Sequence, residues 1–434
     1  MDARRRAYIG GILRRGPTEA GYAFFRARRR RRNRADEELE LTPGDRLALS
    51  GALDLEPADL EANARALETY AAAESWPIES LQWFVPAFHH AAGGGVATLL
   101  RLADHLARVH GVANRFSVYD RRDPEVARAL SARIAAAHPA LAGAPVTPAG
   151  AVLPDADAAI ATTWTSAFPL VRHRRACAKF FLVQDLEPAF HPAGSLSALL
   201  GFAGGLGLPG LVNTPGLADA YRALGSPAMS FRPAVDRERY HPPAGGRPGG
   251  GPARVFFYGR PATARNAFGL GLATLRRVKE RWGERVEIVC AGEDWSPGQY
   301  GVADVLENRG MLESPDAVAE LYRSCDIGLV FMLTRHPSYQ PLEFMASGVA
   351  TVTNANPATD WLLRHEDNAL LADPLPALVA EQVGRLVEDA GLRARIAAAG
   401  AAEVSATTWP EQLERVWGAM TKAGPAFTLE RETA

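Results

Sequence analysis

Apolar residues along the chain fall into short runs separated by longer stretches with helical spacing. Residues 81–85, 116–119, 158–161, 180–183 and 212–213 read as strands, with helical windows such as 124–137 between them. The series resumes at 254–258 and continues at 285–289, 327–331, 350–353 and 369–371. A helix expected from Asn266 places Phe268, Leu272, Leu275 and Val278 on one face. Strands that alternate with helices imply parallel sheets joined by crossover helices, an α/β class. Two mononucleotide-type halves are expected, 76–240 and 253–405. They are separated by a Pro/Gly linker, 241–252, with no core-forming residue. Residues 1–75 read as a charged extension that is helix-prone after Thr42. Residues 406–434 read as an amphipathic helix, 408–420, and a tail.

Composition narrows the class. A hydrophobic share of 47% against 22% charged residues is that of a globular chain with real cores, which excludes wholesale disorder. Cys177, Cys290 and Cys325 are too few and scattered for a disulfide framework, and a reducing compartment suits them. The net charge of −1 argues against the whole chain binding nucleic acid. It conceals an asymmetry: residues 1–34 hold twelve Arg against Asp2 and Glu19, a net +10, which leaves −11 for the rest. The five arginines Arg28 to Arg32 are compatible with peripheral contact to anionic lipid on the inner face of a membrane; a solvated arm is the plainer reading. The apolar stretch after Arg6 is too short for a secretory signal. The most apolar long window, 196–212, is broken by five glycines and a proline, which does not suit a membrane span. A cytoplasmic location is expected.

Four segments could carry chemistry. Gly93, Gly94 and Gly95 follow the first strand and open an apolar helix, so backbone N–H groups there can approach an anion; a plain strand-to-helix turn uses the same residues. Gly259, Arg260 and Arg265 hold the same position in the second half. Guanidinium groups stay charged and grip phosphate oxygens with paired bonds, which suits a diphosphate; two solvated loop arginines are the bland alternative. In the third, 331–348, a strand gives way to a polar loop with His336, Ser338 and Tyr339, and a helix starts near Pro341. Amides around Ser338, Tyr339 and Gln340 are expected to face the cleft. Glu343 is read either as a ribose ligand or as a complement to the helix dipole. In the fourth, Asp185 and Glu187 follow a buried strand, where carboxylates can act as acid or base, orient sugar hydroxyls, or merely cap the next turn. The ten histidines show no ligand spacing such as His-Glu-x-x-His, so no metal site is expected.

Three blocks together resemble the family 4 retaining glycosyltransferases of GT-B fold, in particular the branch with rhamnosyltransferases of bacterial surface-polysaccharide assembly. They are Gln184-Asp185-Leu186-Glu187-Pro188 with Gly194-Ser195, Phe257-Tyr258-Gly259-Arg260-Pro261 with Arg265-Asn266, and His336-Pro337-Ser338-Tyr339 with Pro341-Leu342-Glu343. The resemblance spans roughly residues 76–420. It implies two Rossmann-like domains facing each other across a cleft, with the N-terminal extension outside them. It further implies a nucleotide-sugar donor, dTDP-rhamnose first, held by the second domain, and a glycan or lipid-linked saccharide acceptor held by the first. No separate cofactor and no obligatory metal are implied. Arg260 and Arg265 match the diphosphate-gripping pair, Arg265 standing where the family has Lys. Asp185 is placed against sugar or acceptor hydroxyls. Glu343 matches the second of the family's paired glutamates, whereas Arg335 stands where the first is usual, and His336 to Tyr339 replace a Gly-Phe-Gly run. The resemblance also implies a last helix that returns to the first domain. Weighed beside this reading are a non-catalytic GT-B binding subunit and a transferase or epimerase that uses a UDP- or GDP-sugar.

Overall fold

The computed structural model describes residues 51–52, 54–91, 93–176, 178–245, 250–336, 338–422 and 427. The arginines Arg28 to Arg32, Cys177, Pro337 and part of the Pro/Gly linker (246–249) lie outside the described residues. The described residues, from Gly51 onward, form one compact unit.

Within it, the strands sort into two sheets, both parallel throughout. The first holds β1 (Ser80–Val85), β2 (Ala113–Val118), β3 (Val146–Pro148), β4 (Ala158–Ala161), β5 (Ala178–Val183), β6 (Gly210–Asn213) and β7 (Ala228–Phe231) in the order β3-β2-β1-β4-β5-β6-β7. The second holds β8 (Ala253–Gly259), β9 (Val286–Gly292), β10 (Glu307–Asn308), β11 (Ile327–Leu329), β12 (Ala350–Asn354) and β13 (Leu370–Ala372) in the order β10-β9-β8-β11-β12-β13. Strands covered on both faces read as continuous apolar runs. β5 is buried at all six positions, which is why such strands show in the sequence. In each sheet the chain reverses direction of travel beside its first strand, between β1 and β4 and between β8 and β11. At such switch points the loops after the strands diverge and leave a crevice at the carboxyl ends.

The structure departs from the expected elements at identifiable places. The helix expected from Asn266 begins at Phe268, after a 3₁₀ turn and Ala267 at φ +50°. β3, β7 and β10 are short strands at sheet edges whose patterns carry no strand signal. The helix Pro57–Ala71, inside the segment read as an extension, sinks Tyr70 into the core of the first sheet. Its hydroxyl donates to Met420 O at 2.9 Å. That residue belongs to the last helix, Trp409–Lys422, which buries Trp409, Leu413, Val416 and Met420 in the same core. Among the described residues, no helix is long and apolar enough to cross a membrane.

Candidate active site

Both switch points open into one cavity of about 1050 Å³. Loops after β1, β4 and β5 form one wall, and loops after β8 and β11 form the other. After β1, Gly94 (φ +29°) and Gly95 start the helix Gly94–His110. A Cβ on Gly95 would lie 3.1 Å from Gln184 Nε2, which donates to the Gly95 carbonyl at 2.9 Å, so the turn and the β5 loop are fitted to each other.

After β5, Asp185 Oδ1 accepts from the Leu186 amide at 2.8 Å, while Oδ2 accepts from Thr334 Oγ1 of the opposite wall at 3.3 Å. Arg265 Nε lies 3.9 Å from the same oxygen. Glu187 caps a neighbouring turn rather than its own: its Oε2 accepts from the Trp164 amide at 3.0 Å. Burial pushes its carboxyl up to about 7, against the hydrogen bond from Trp164 and the nearby Arg265.

After β8, Arg260 and Arg265 both line the cavity. Arg265 lies over the Phe190 ring, 4.4 Å from its centroid. Arg260 Nε donates to Glu293 Oε1 at 3.0 Å, and Glu293 also accepts from the Ala262 amide at 3.1 Å, so one carboxylate at the end of β9 holds the arginine loop in shape. Gly259 lies beneath this loop and does not line the cavity. A Cβ there would sit 2.2 Å from Cys290 Sγ, so its role is close packing rather than contact with an occupant.

After β11 the geometry corrects one expectation and adds partners to another residue. The Ser338 amide, expected to face the cleft, donates instead to His336 Nδ1 at 2.9 Å, with Ser338 itself at φ +62°. Glu343 is more than a dipole partner: the hydroxyls of Tyr240 and Tyr322 hydrogen-bond its carboxylate, and burial pushes it up to about 7. Glu343 still lines the cavity floor, in the short helix Gln340–Ala346. His336 accepts at Nδ1, so in its neutral form the proton sits on Nε2, a buried atom with no partner among the described residues. Burial depresses its pKa and keeps it neutral. The Tyr339 hydroxyl pairs with Thr98 Oγ1 and accepts from Asn213 Nδ2 at 3.2 Å, both on the first lobe. Arg335 is exposed and does not line the cavity.

Sequence reasoning missed Glu293, Arg101, Arg239 and Tyr240, which serve or line the same cavity. Arg101 lies over the Trp409 ring at 4.6 Å. Its place amid the apolar run Leu99, Leu100 and Leu102 of the helix Gly94–His110 was the available signal for it. Glu293, directly after the β9 glycine, had the position signal of a strand-end carboxylate.

Residues 253–384 match the family model described as WsaF, C-terminal domain. The O-antigen biosynthesis protein RfbC of Myxococcus xanthus is 45% identical over 361 residues, which are 81% of this chain and 28% of that protein; the chain thus spans well under half the length of this relative. Of the solved structures, Anabaena Alr3699/HepE in complex with UDP superposes with a TM-score of 0.60 at 13% identity, covering 79% of this chain and 98% of that one. Sucrose-phosphate synthase from Thermosynechococcus elongatus gives a TM-score of 0.58 at 14% identity, covering 78% and 97%. The two facing parallel sheets are those of the GT-B fold.

Proposed function

We propose that the chain is a glycosyltransferase of surface-polysaccharide (O-antigen) assembly, which transfers a sugar from a nucleotide-sugar to a glycan or lipid-linked saccharide. The observation that carries the reading is the placement of Arg260 and Arg265 on the β8 loop, at one cavity wall, opposite the Asp185 and Glu187 loop. The likeness to an O-antigen biosynthesis protein supports the pathway. The likeness in fold to a protein solved with UDP supports the substrate class.

In this reading the diphosphate lies across Arg260 and Arg265, and the Nε2–H of His336 donates to it or to the sugar. Negative charge grows on the diphosphate as the glycosidic bond breaks, and fixed donors aimed at that charge are worth about 3 kcal/mol each. The guanidinium groups supply the positive charge, so the reaction needs no metal ion. Asp185 orients a hydroxyl of sugar or acceptor. The acceptor hydroxyl attacks from the face the diphosphate leaves, which gives retention, and a donor oxygen takes its proton. Rhamnose from dTDP-rhamnose is the donor we infer. The second lobe holds the nucleotide, the first holds the acceptor, and the enzyme works in the cytoplasm with peripheral contact to the membrane through Arg28 to Arg32.

A panel of dTDP-, UDP- and GDP-sugars scored by thermal shift, then product analysis with an acceptor, tests this. A shift with a nucleoside diphosphate and transfer from dTDP-rhamnose are expected. Arg260→Ala should lower turnover by about 10²–10³ while the fold survives; wild-type transfer by that variant removes Arg260 from the reaction. The ion pair between Arg260 and Glu293, with Arg335 turned outward, favours a second reading, a non-catalytic binding subunit. That reading requires that no nucleotide shifts the melt.

A further inference from the structure

We propose that His105, His110 and Glu414 form a binding site for a divalent transition-metal ion, zinc by its chemistry, that ties the last helix to the first lobe. No linear spacing reveals this set. His105 and His110 lie on the last turns of the helix Gly94–His110, and Glu414 comes from the helix Trp409–Lys422 more than three hundred residues away. The three ligand atoms lie within 4.8 Å of one another. Both imidazole Nε2 atoms converge on one carboxylate oxygen, His105 at 2.6 Å and His110 at 2.8 Å from Glu414 Oε1.

Without a metal, each imidazole carries its proton on Nε2 and the two lone pairs of one carboxylate oxygen accept both. If the protons move to Nδ1, the two Nε2 lone pairs and the carboxylate make up the donor set of a His₂-carboxylate zinc site, with a fourth position left for water. Two imidazole nitrogens select zinc and its neighbours over magnesium or calcium, which prefer oxygen cages. A tetrahedral zinc with bonds of about 2.0–2.1 Å holds its ligands roughly 3.4 Å apart. Each nitrogen must therefore move away from the carboxylate oxygen by roughly 0.6–0.8 Å, and Glu414 has the freedom to do so, its side chain being 47% exposed against 7% for His105. The open side is also the entry path. The carboxyl end of a helix favours a cation, and the chain turns away there at Gly111 in the left-handed conformation. The His110 ring is stacked on Trp417 at 4.3 Å, which fixes its orientation as outer-shell contacts do around metal ligands.

The site lies outside the cleft and takes no part in the transfer proposed above. Tag-free full-length chain, stripped with chelator, is titrated with zinc chloride and followed by calorimetry, metal analysis and thermal melting. One zinc per chain and a higher melting temperature are expected, with the absorption of a tetrahedral site when cobalt(II) replaces zinc. Glu414→Gln and His110→Asn should each weaken zinc binding at least tenfold and abolish the zinc-dependent rise, with the nucleotide-induced shift unchanged. Glu414 is half-exposed, so its variant keeps the fold, and the wild-type titration decides even if the other does not. No zinc bound by the stripped wild type, or equal affinity in both variants, overturns the proposal, leaving a hydrogen-bonded clamp. Loss of the nucleotide shift alone would count against the transferase reading and not against this one.

Discussion

At the scale of single residues, what burial does to a carboxylate decides its use. Glu343 sits under the cavity with two tyrosine hydroxyls on it, and its carboxyl is held up to about 7 against a usual value near 4.5. The folded protein therefore binds this proton more tightly than the unfolded chain. Its contribution to stability is complete below about pH 4.5 and is lost as pH rises through 7. Glu343→Gln cannot ionise and should raise the melting temperature over wild type by about 2 °C or more at pH 8, and by much less at pH 5. Equal shifts at both pH values would mean that the carboxyl is ionised throughout. Glu187 has the same sign and adds to the wild-type slope. Of these side chains, Arg260 and Arg265 were legible because a basic residue in a loop directly after a strand has few structural uses. The pairing of Glu343 with Tyr240 and Tyr322 was not, because those tyrosines lie about 100 and about 20 residues away along the chain, and nothing local marks them as neighbours.

At the scale of elements, the period of apolar residues located the central strands and most helices, and failed where burial is one-sided or brief. β10 has two residues and β3 three, both at sheet edges, so neither imposes a pattern. The helix expected from Asn266 was displaced by backbone geometry at Ala267, which apolar spacing does not encode. Close helix contacts were equally hidden. Gly384, inside the helix Pro376–Glu388, faces the indole of Trp282 on the helix Phe268–Trp282, and a Cβ there would lie 1.9 Å from Trp282 Cζ2. Alanine is the better helix former by about 1 kcal/mol. Overpacking costs about 1–3 kcal/mol and outweighs it. Gly384→Ala is thus expected to lower the unfolding free energy by up to about 2 kcal/mol, read from urea denaturation. A more stable variant would show that Trp282 swings aside without cost, despite the 2.9 Å bond from its Nε1 to Glu388.

At the scale of the whole molecule, two parallel-sheet units were readable, but not how closely they meet. The residues that join them are far apart in the chain. Tyr339 of the second lobe reaches Thr98 and Asn213 of the first, and Thr334 reaches Asp185. The hydroxyl of Tyr339 thus makes two contacts across the cavity that a phenylalanine cannot make, while its ring packs against apolar residues of both lobes. A net value of about 1 kcal/mol per hydrogen bond gives roughly 1–2 kcal/mol in favour of the closed arrangement. Its removal shifts an open–closed equilibrium by about five- to thirtyfold. Tyr339→Phe should then raise the radius of gyration measured by small-angle X-ray scattering and increase protease cleavage in the linker, with the melting temperature little changed. Nucleoside diphosphate bound between the lobes should restore the compact form, because it adds contacts to the closed state alone. An unchanged scattering profile in the free variant would place the closing energy elsewhere, in the approach of Gly216 to Ala358 and the stacking of Arg232 on Trp361.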